Sequence, residues 1–158
     1  MNSHLLALIG KYREKGILID TNIALLYLVG SLDLFLIRNH SRTSGYSEDD
    51  FDRVSKFIEF FVEPVSTPHI LTEISNLLGR DNDLRLVLQT YIIRSKEVHT
   101  LATSLIESKA YLKFGLVDSA IFEVARGEFL VVTDDGPLFG FLESQHVDVV
   151  SLDQIRKI

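Results

Sequence analysis

An aliphatic run that stops on an acid, Gly16-Ile17-Leu18-Ile19-Asp20-Thr21-Asn22, constrains this chain more than any other stretch. Three consecutive aliphatic residues between a glycine and small polar residues read as a strand buried on both faces, the kind found in parallel sheets covered by helices. The apolar helical pattern Ile23, Ala24, Leu26 and Tyr27 follows directly, so the strand presents Asp20 at its carboxyl end. In open α/β sheets that edge is where ligands and chemistry gather. The question becomes which later residues converge on Asp20.

The rest of the chain alternates in the same way. An apolar share of 46% over 158 residues supports one domain with a sizeable core. Residues 1–16 read as an N-terminal helical extension, with Leu5, Leu6, Ile9 and Tyr12 on one side, Lys11, Arg13 and Lys15 on the other, and Gly16 as the stop. Residues 17–158 read as the α/β domain. A helix over 23–29 closes near Gly30, and the polar run 40–50 contains a loop over 40–46. The next helix is capped by Ser47 or Glu48, with Phe51, Val54, Ile58 and Phe61 at helical spacing. A short strand over 62–67 tolerates Pro64 only at an edge or a start. Thr67-Pro68 then opens a helix that stops at Gly79. Helices follow over 84–93, 101–114 and 118–126, then a strand over 129–133, a turn at Asp135-Gly136-Pro137, a short helix to Ser144 and a strand over 147–150. Strands alternating with helices predict a parallel sheet covered on both faces.

Composition excludes several classes. The formal charge of −6 argues against a protein that holds nucleic acid through a basic surface, so a phosphate-bearing substrate would need cations at the site. Without cysteine there are no disulfides, thiolate metal sites or thiol nucleophiles, and the expected location is cytoplasmic. Of two apolar stretches, 5–9 is too short to span a membrane and 24–37 is broken by Gly30 and Asp33. No Gly-rich phosphate loop and no Gly-x-Ser-x-Gly elbow occurs, which leaves ATP-dependent transfer and acyl hydrolysis unsupported. His40, His69, His99 and His146 lack metal-ligand spacing and read as structural or solvated; His69, one turn before Glu73, is the exception worth following.

Acids stand where simple patterning would not put them. In the helix after Thr67, Ile70, Ile74 and Leu77 mark the buried stripe and Glu73 lies along its margin. Asp118 borders the apolar face formed by Ile121 and Ala125. Singly, each acid has an ordinary explanation: Asp20 and Asp118 as helix caps, Glu73 reaching to water, Asp134 and Asp135 as turn residues before Gly136. Jointly they are harder to explain, because Asp20 and the Asp134/Asp135 pair end strands while Glu73 and Asp118 open or line helices. Carboxylates meeting at one sheet edge would repel by roughly 4 kcal/mol per close pair at an effective dielectric of about 20. Divalent cations would relieve this, and oxygen ligands without His or Cys suit Mg²⁺ or Mn²⁺. Such ions activate water and neutralise a leaving oxygen, which implies phosphodiester hydrolysis.

On these residues the chain resembles the PIN-domain ribonucleases: Ile-Leu-Ile-Asp20-Thr-Asn, Thr-Pro-His-Ile-Leu-Thr-Glu73-Ile, Gly-Leu-Val-Asp118-Ser-Ala and Val-Val-Thr133-Asp134-Asp135, in that order, over about 17–152. The resemblance implies a single-domain, three-layer α/β/α fold with a doubly wound parallel sheet. It also implies a Mg²⁺- or Mn²⁺-dependent endoribonuclease of the toxin type that hydrolyses RNA with metal-activated water. Asp20, Glu73 and Asp118 would be the first three metal-holding acids. The fourth is Asp135 by the family's spacing after the Thr, with Asp134 able to substitute or assist. Asn22 and Thr133 resemble the small polar residues that orient these carboxylates. The implied partners are a single-stranded RNA substrate, a second copy of the chain as homodimer, and an inhibitor or antitoxin protein, with no membrane. Two departures from compact members stand out: the extra N-terminal helix and a longer connection over 31–63, which could cover the active-site cleft. For contacts with RNA backbone, Arg38, Arg42, Arg80, Arg85, Lys109 and Lys113 are candidates, though basic residues on helix surfaces are usually just solvated. Competing readings are a non-catalytic PIN-like module that binds RNA or protein, and a structure-specific DNA nuclease. A phosphatase would want an acid where Asn22 stands, and a receiver domain an acidic pair at the first strand.

Overall fold

The computed structural model describes residues 3–158. The chain runs α1 (Ser3–Tyr12), β1 (Ile17–Ile19), α2 (Thr21–Leu32), α3 (Leu34–Asn39), α4 (Glu48–Ile58), β2 (Pro64–Ser66), α5 (Pro68–Leu78), α6 (Asn82–Arg94) and β3 (Lys96–Glu97). It continues through α7 (Ala102–Leu105), α8 (Tyr111–Ala125), β4 (Leu130–Thr133), α9 (Gly136–Ser144), β5 (Val149–Ser151) and α10 (Leu152–Ile155). Among the described residues the five strands form one wholly parallel sheet in the order β3-β2-β1-β4-β5, flanked by helices as a three-layer α/β/α fold.

The aliphatic run at 17–19 is the central strand, and all three residues are fully buried, as a strand covered on both faces requires. From it the chain moves outward to β2 and β3, then returns to the other side of β1 for β4 and β5. The direction of winding therefore reverses between β1 and β4. At such a switch point the loops leaving the two strands part, and a crevice opens over their carboxyl ends. Leu18 pairs with Val131 and Ile19 with Val132, which sets Asp20 beside Thr133, and the Asp20 N–H donates to Val132 O at 2.9 Å.

Several elements follow the local chemistry of the sequence. Ser47 and Asp50 form a reciprocal capping box at the start of α4. Thr67 caps α5 ahead of Pro68, and Pro64 takes the first position of β2, where a missing N–H costs least. Gly16 has φ +105°, and a Cβ there would lie 2.7 Å from Val65 Cγ2, so the turn from α1 into β1 needs glycine on both counts.

The structure corrects other expectations. On α1 the buried set is Leu5, Leu8, Ile9 and Tyr12, while Leu6 is exposed, because the stripe advances by three and four residues from Leu5. This helix packs into the same core as the sheet, and Lys11 Nζ and the Tyr12 hydroxyl both donate to Asp148 ahead of β5, at 2.7 and 2.8 Å. The helix α2 passes through Gly30 to Leu32, since a Cβ at Gly30 would meet the Phe51 ring and glycine serves close packing there. Residues 101–114 are not one helix. Ser108 breaks them, its hydroxyl accepting from Ala110 N–H at 3.3 Å and donating to Glu123 at 2.7 Å, a side-chain alternative to helical bonding. The second part continues past Gly115, at φ +82°, into the segment carrying Asp118.

Candidate active site

Asp20, at the carboxyl end of β1, is buried and caps α2, with Oδ1 accepting from the Thr21 N–H at 2.6 Å. Its Oδ2 accepts from the Thr133 hydroxyl at 2.6 Å. The same Thr133 oxygen accepts from the Asp135 N–H at 3.0 Å, so one buried threonine fixes acids from two strand ends. Asp135 caps α9 through Leu138 N–H at 2.7 Å, and its second oxygen has no partner among the described residues. Glu73, half-buried on α5, accepts from the Thr21 hydroxyl at 2.6 Å. Asp20 thus caps α2 as suggested, Asp135 caps α9 where a turn residue was expected, and Asp118, suggested as a cap, lies inside α8, whose N-cap is Ala110.

Asp118 differs from the others. It is half-buried in the first turn after the Gly115 kink and has no hydrogen-bond partner among the described residues. Burial pushes its pKa up to about 7, and the charges of Asp20, Asp135 and Glu73 push in the same direction. Asp20 is pushed up to about 6, first by burial and then by Asp134 and Asp135, against the opposing hydrogen bonds from Thr133 and Thr21. Asp118 therefore stands within electrostatic reach of Asp20, Asp135 and Glu73, and Asp20 within reach of Asp134 and Asp135. Among the described residues none of the five forms an ion pair.

Asp134 is engaged on both oxygens. The Asn22 amide donates to Oδ1 at 3.3 Å and the Tyr46 hydroxyl donates to Oδ2. Asn22 thus turns toward Asp134 rather than toward the other acids, whereas the Thr133 hydroxyl donates to Asp20. Tyr46 belongs to the long connection after α3, so that connection borders the site. Its loop is anchored by buried Thr43, whose hydroxyl donates to Ile37 O at 2.7 Å. Two contributors escaped the sequence reading. Thr21 could have been noticed as a hydroxyl placed directly after the strand-ending acid, but Tyr46 lies in an aperiodic polar run that offers no signal.

The donor set suits a hard divalent cation: oxygen-only ligands, mutual repulsion among acids that form no ion pair among the described residues, and oxygens on Asp118, Asp135 and Glu73 without a partner there. As the side chains stand, the hydroxyls of Thr21, Thr133 and Tyr46 each hold one acid, and among the described residues no three of the acids converge as a ready cation cage. His69 lies beside Glu73 in an open cleft with Leu116, its Nδ1 buried without a partner among the described residues. His40 accepts from the Arg42 N–H at 3.3 Å, His99 faces Glu97 at 3.4 Å, and His146 occupies a turn at φ 58°. Arg38, Arg42, Arg80, Arg85, Lys109 and Lys113 are all exposed.

Fold and site together define an α/β protein with a parallel sheet and an acidic crevice at its switch point. The chain matches no family model and no curated protein. Among the described residues no helix is long and apolar enough to cross a membrane.

Proposed function

We propose that this chain is a Mg²⁺- or Mn²⁺-dependent phosphodiesterase acting on RNA, an endoribonuclease of the PIN type. The observation that carries the reading is Asp118: a half-buried carboxylate facing three other acids, with neither a hydrogen-bond partner nor a cation beside it among the described residues. A fold that gathers such charges at the ligand-binding edge of its sheet loses stability unless a cation arrives. Asp20, Glu73, Asp118 and Asp135 would hold it. Asp135 is preferred to Asp134 because Thr133 ties it to Asp20 and one of its oxygens has no partner among the described residues, whereas Asp134 is turned to Asn22 and Tyr46. Bound there, a divalent ion supplies Lewis acidity and a water of lowered pKa. Thr133 keeps Asp20 turned to the crevice and Thr21 steadies Glu73, so these acids are oriented before substrate arrives. A toxin-type role, with an inhibitor protein and a homodimer, is the finer form of the proposal.

The test is cleavage of a mixed single-stranded RNA by the purified protein in Mn²⁺, Mg²⁺ or EDTA, beside Asp20→Asn and Asp118→Asn. Metal-dependent cutting that disappears in both variants is expected. Full activity in either variant would sink the assignment. Binding of RNA without any cutting would point to a non-catalytic module instead.

A further inference from the structure

We propose that the cleft between the loop at residues 40–46 and the helices α9 and α10 is a subsite for one unpaired nucleobase beside the bond to be cut, an inference that rests on the phosphodiesterase reading above. The cleft encloses about 410 Å³ and is continuous with the acidic cluster, since Asp134 and Asp135 line it. Its volume lies within the roughly 300–1,000 Å³ usual for small-molecule sites.

The chemistry of its walls favours a base over a phosphate. Asp134, Asp135 and Asp153 put three carboxylates on the rim, which would repel a backbone phosphate. The cation present, Arg156, is already committed: Nε and Nη2 donate to Asp50 at 2.7 and 3.1 Å and Nη1 to Asp153 at 2.9 Å. With three of its five N–H donors bonded in plane to carboxylates, the guanidinium would meet a ligand in this cleft with its flat face, a surface on which bases stack. Phe139, half-buried one helical turn beyond Asp135, and Tyr46, fixed by its bond to Asp134, supply two aromatic rings in the same cleft. Base stacking on such rings is indifferent to sequence, but the polar lining is not. One Asp153 oxygen accepts from Arg156, the other has no partner among the described residues, and a carboxylate only accepts. It selects a base edge bearing an amino group, as in adenine, guanine or cytosine. A base stacked within a duplex cannot lay its face on the Phe139 ring or the guanidinium, so the subsite takes single strands.

Binding of a labelled ten-nucleotide single-stranded RNA, read by fluorescence anisotropy in Mg²⁺ with Asp20→Asn to prevent cutting, is compared with Asp20→Asn/Phe139→Leu, which keeps apolar bulk and removes the ring. Phe139→Ala serves beside it, its melting curve checked first. The expected loss on removing the ring is about tenfold in affinity. In the protein with Asp20 intact, mapped cut sites should carry an amino-bearing base at one position next to the cut, a bias that Asp153→Ala flattens. Unchanged affinity in Phe139→Leu, with the same cut-site bias in Asp153→Ala, would overturn the subsite and leave the phosphodiesterase reading standing. A parent protein that neither binds nor cuts RNA would overturn both.

Discussion

Replacing Asp20 by Asn removes a buried charge while keeping the shape of the side chain, and the structure predicts that the metal-free protein becomes more stable. Asn Oδ1 can still accept from the Thr21 N–H, and its amide can donate to the Thr133 oxygen in place of the bond that Asp20 now receives. What disappears is the cost of holding a carboxylate in a buried site facing Asp134 and Asp135. That cost raises the Asp20 pKa from 3.8 to about 6, roughly two units, or on the order of 3 kcal/mol at 1.36 kcal/mol per unit. The Thr133 hydroxyl proton loses its acceptor, which takes back about 1 kcal/mol. A net gain of about 1–2 kcal/mol at pH 7.5 is expected, equivalent to a Tm higher by about 3–6 °C for a chain of this size. The sign reverses the usual carboxylate case. A folded-state pKa above the unfolded value means that the native protein binds more protons, so wild-type stability falls as pH rises from about 4 through 6. At pH 5 Asp20 is largely protonated, and the advantage of the variant should shrink. Circular dichroism melts in EDTA at pH 5 and 7.5 measure this directly. Mn²⁺ should then raise the wild-type Tm at pH 7.5 well above its effect on the variant. A variant that melts at or below wild type in EDTA at pH 7.5 would refute the electrostatic argument for the whole cluster.

Thr133→Val keeps a β-branched residue in the strand but orphans the Asp135 N–H and frees Asp20; a stability loss of about 1–2 kcal/mol and metal affinity weaker by roughly 10- to 100-fold are expected in denaturant melts and calorimetric titration. Arg156 holds the pKa of buried Asp50 down to about 2, so this pair stabilises the fold fully above about pH 4 and loses its contribution as pH falls toward 2. With Arg156 part-exposed, about 1–2 kcal/mol is expected, read as an acid-unfolding midpoint that moves to higher pH in Arg156→Met. Gly16→Ala should destabilise the protein by about 1–2 kcal/mol or more, from the positive φ together with the contact on Val65, and an unchanged urea midpoint would contradict the reading of that turn.

What could be read from the chain without its fold follows the range over which each signal acts. The strand over 17–19, the capping of α4 by Ser47 and the Thr-Pro opening of α5 are stated by neighbours a few residues apart, and each appears where expected. The break at Ser108 was missed because a hydroxyl that bonds a neighbouring amide and a glutamate on the next helix segment competes with helix propensity, and the apolar spacing carries no trace of it. The two-residue β3 escaped because Lys96 and Glu97 are exposed edge positions whose pairing comes from β2, not from their own pattern. The acids divide in the same way. Asp20, Glu73, Asp118 and Asp135 could each be flagged as carboxylates at or along buried stripes, but their meeting depends on sheet order, since only the return of β4 to the far side of β1 places Thr133 against Asp20. Tyr46 depends on more distant geometry still, because its hydroxyl reaches an acid 88 positions away across a connection with no regular pattern. That contact occupies one oxygen of Asp134, while Asp135 keeps an oxygen without a partner among the described residues. Spacing after Thr133 favours Asp135, but nothing local in the sequence signals that Asp134 is occupied. The residue that occupies it, Tyr46, is an aromatic in the longest connection and also walls the cleft beside the acids.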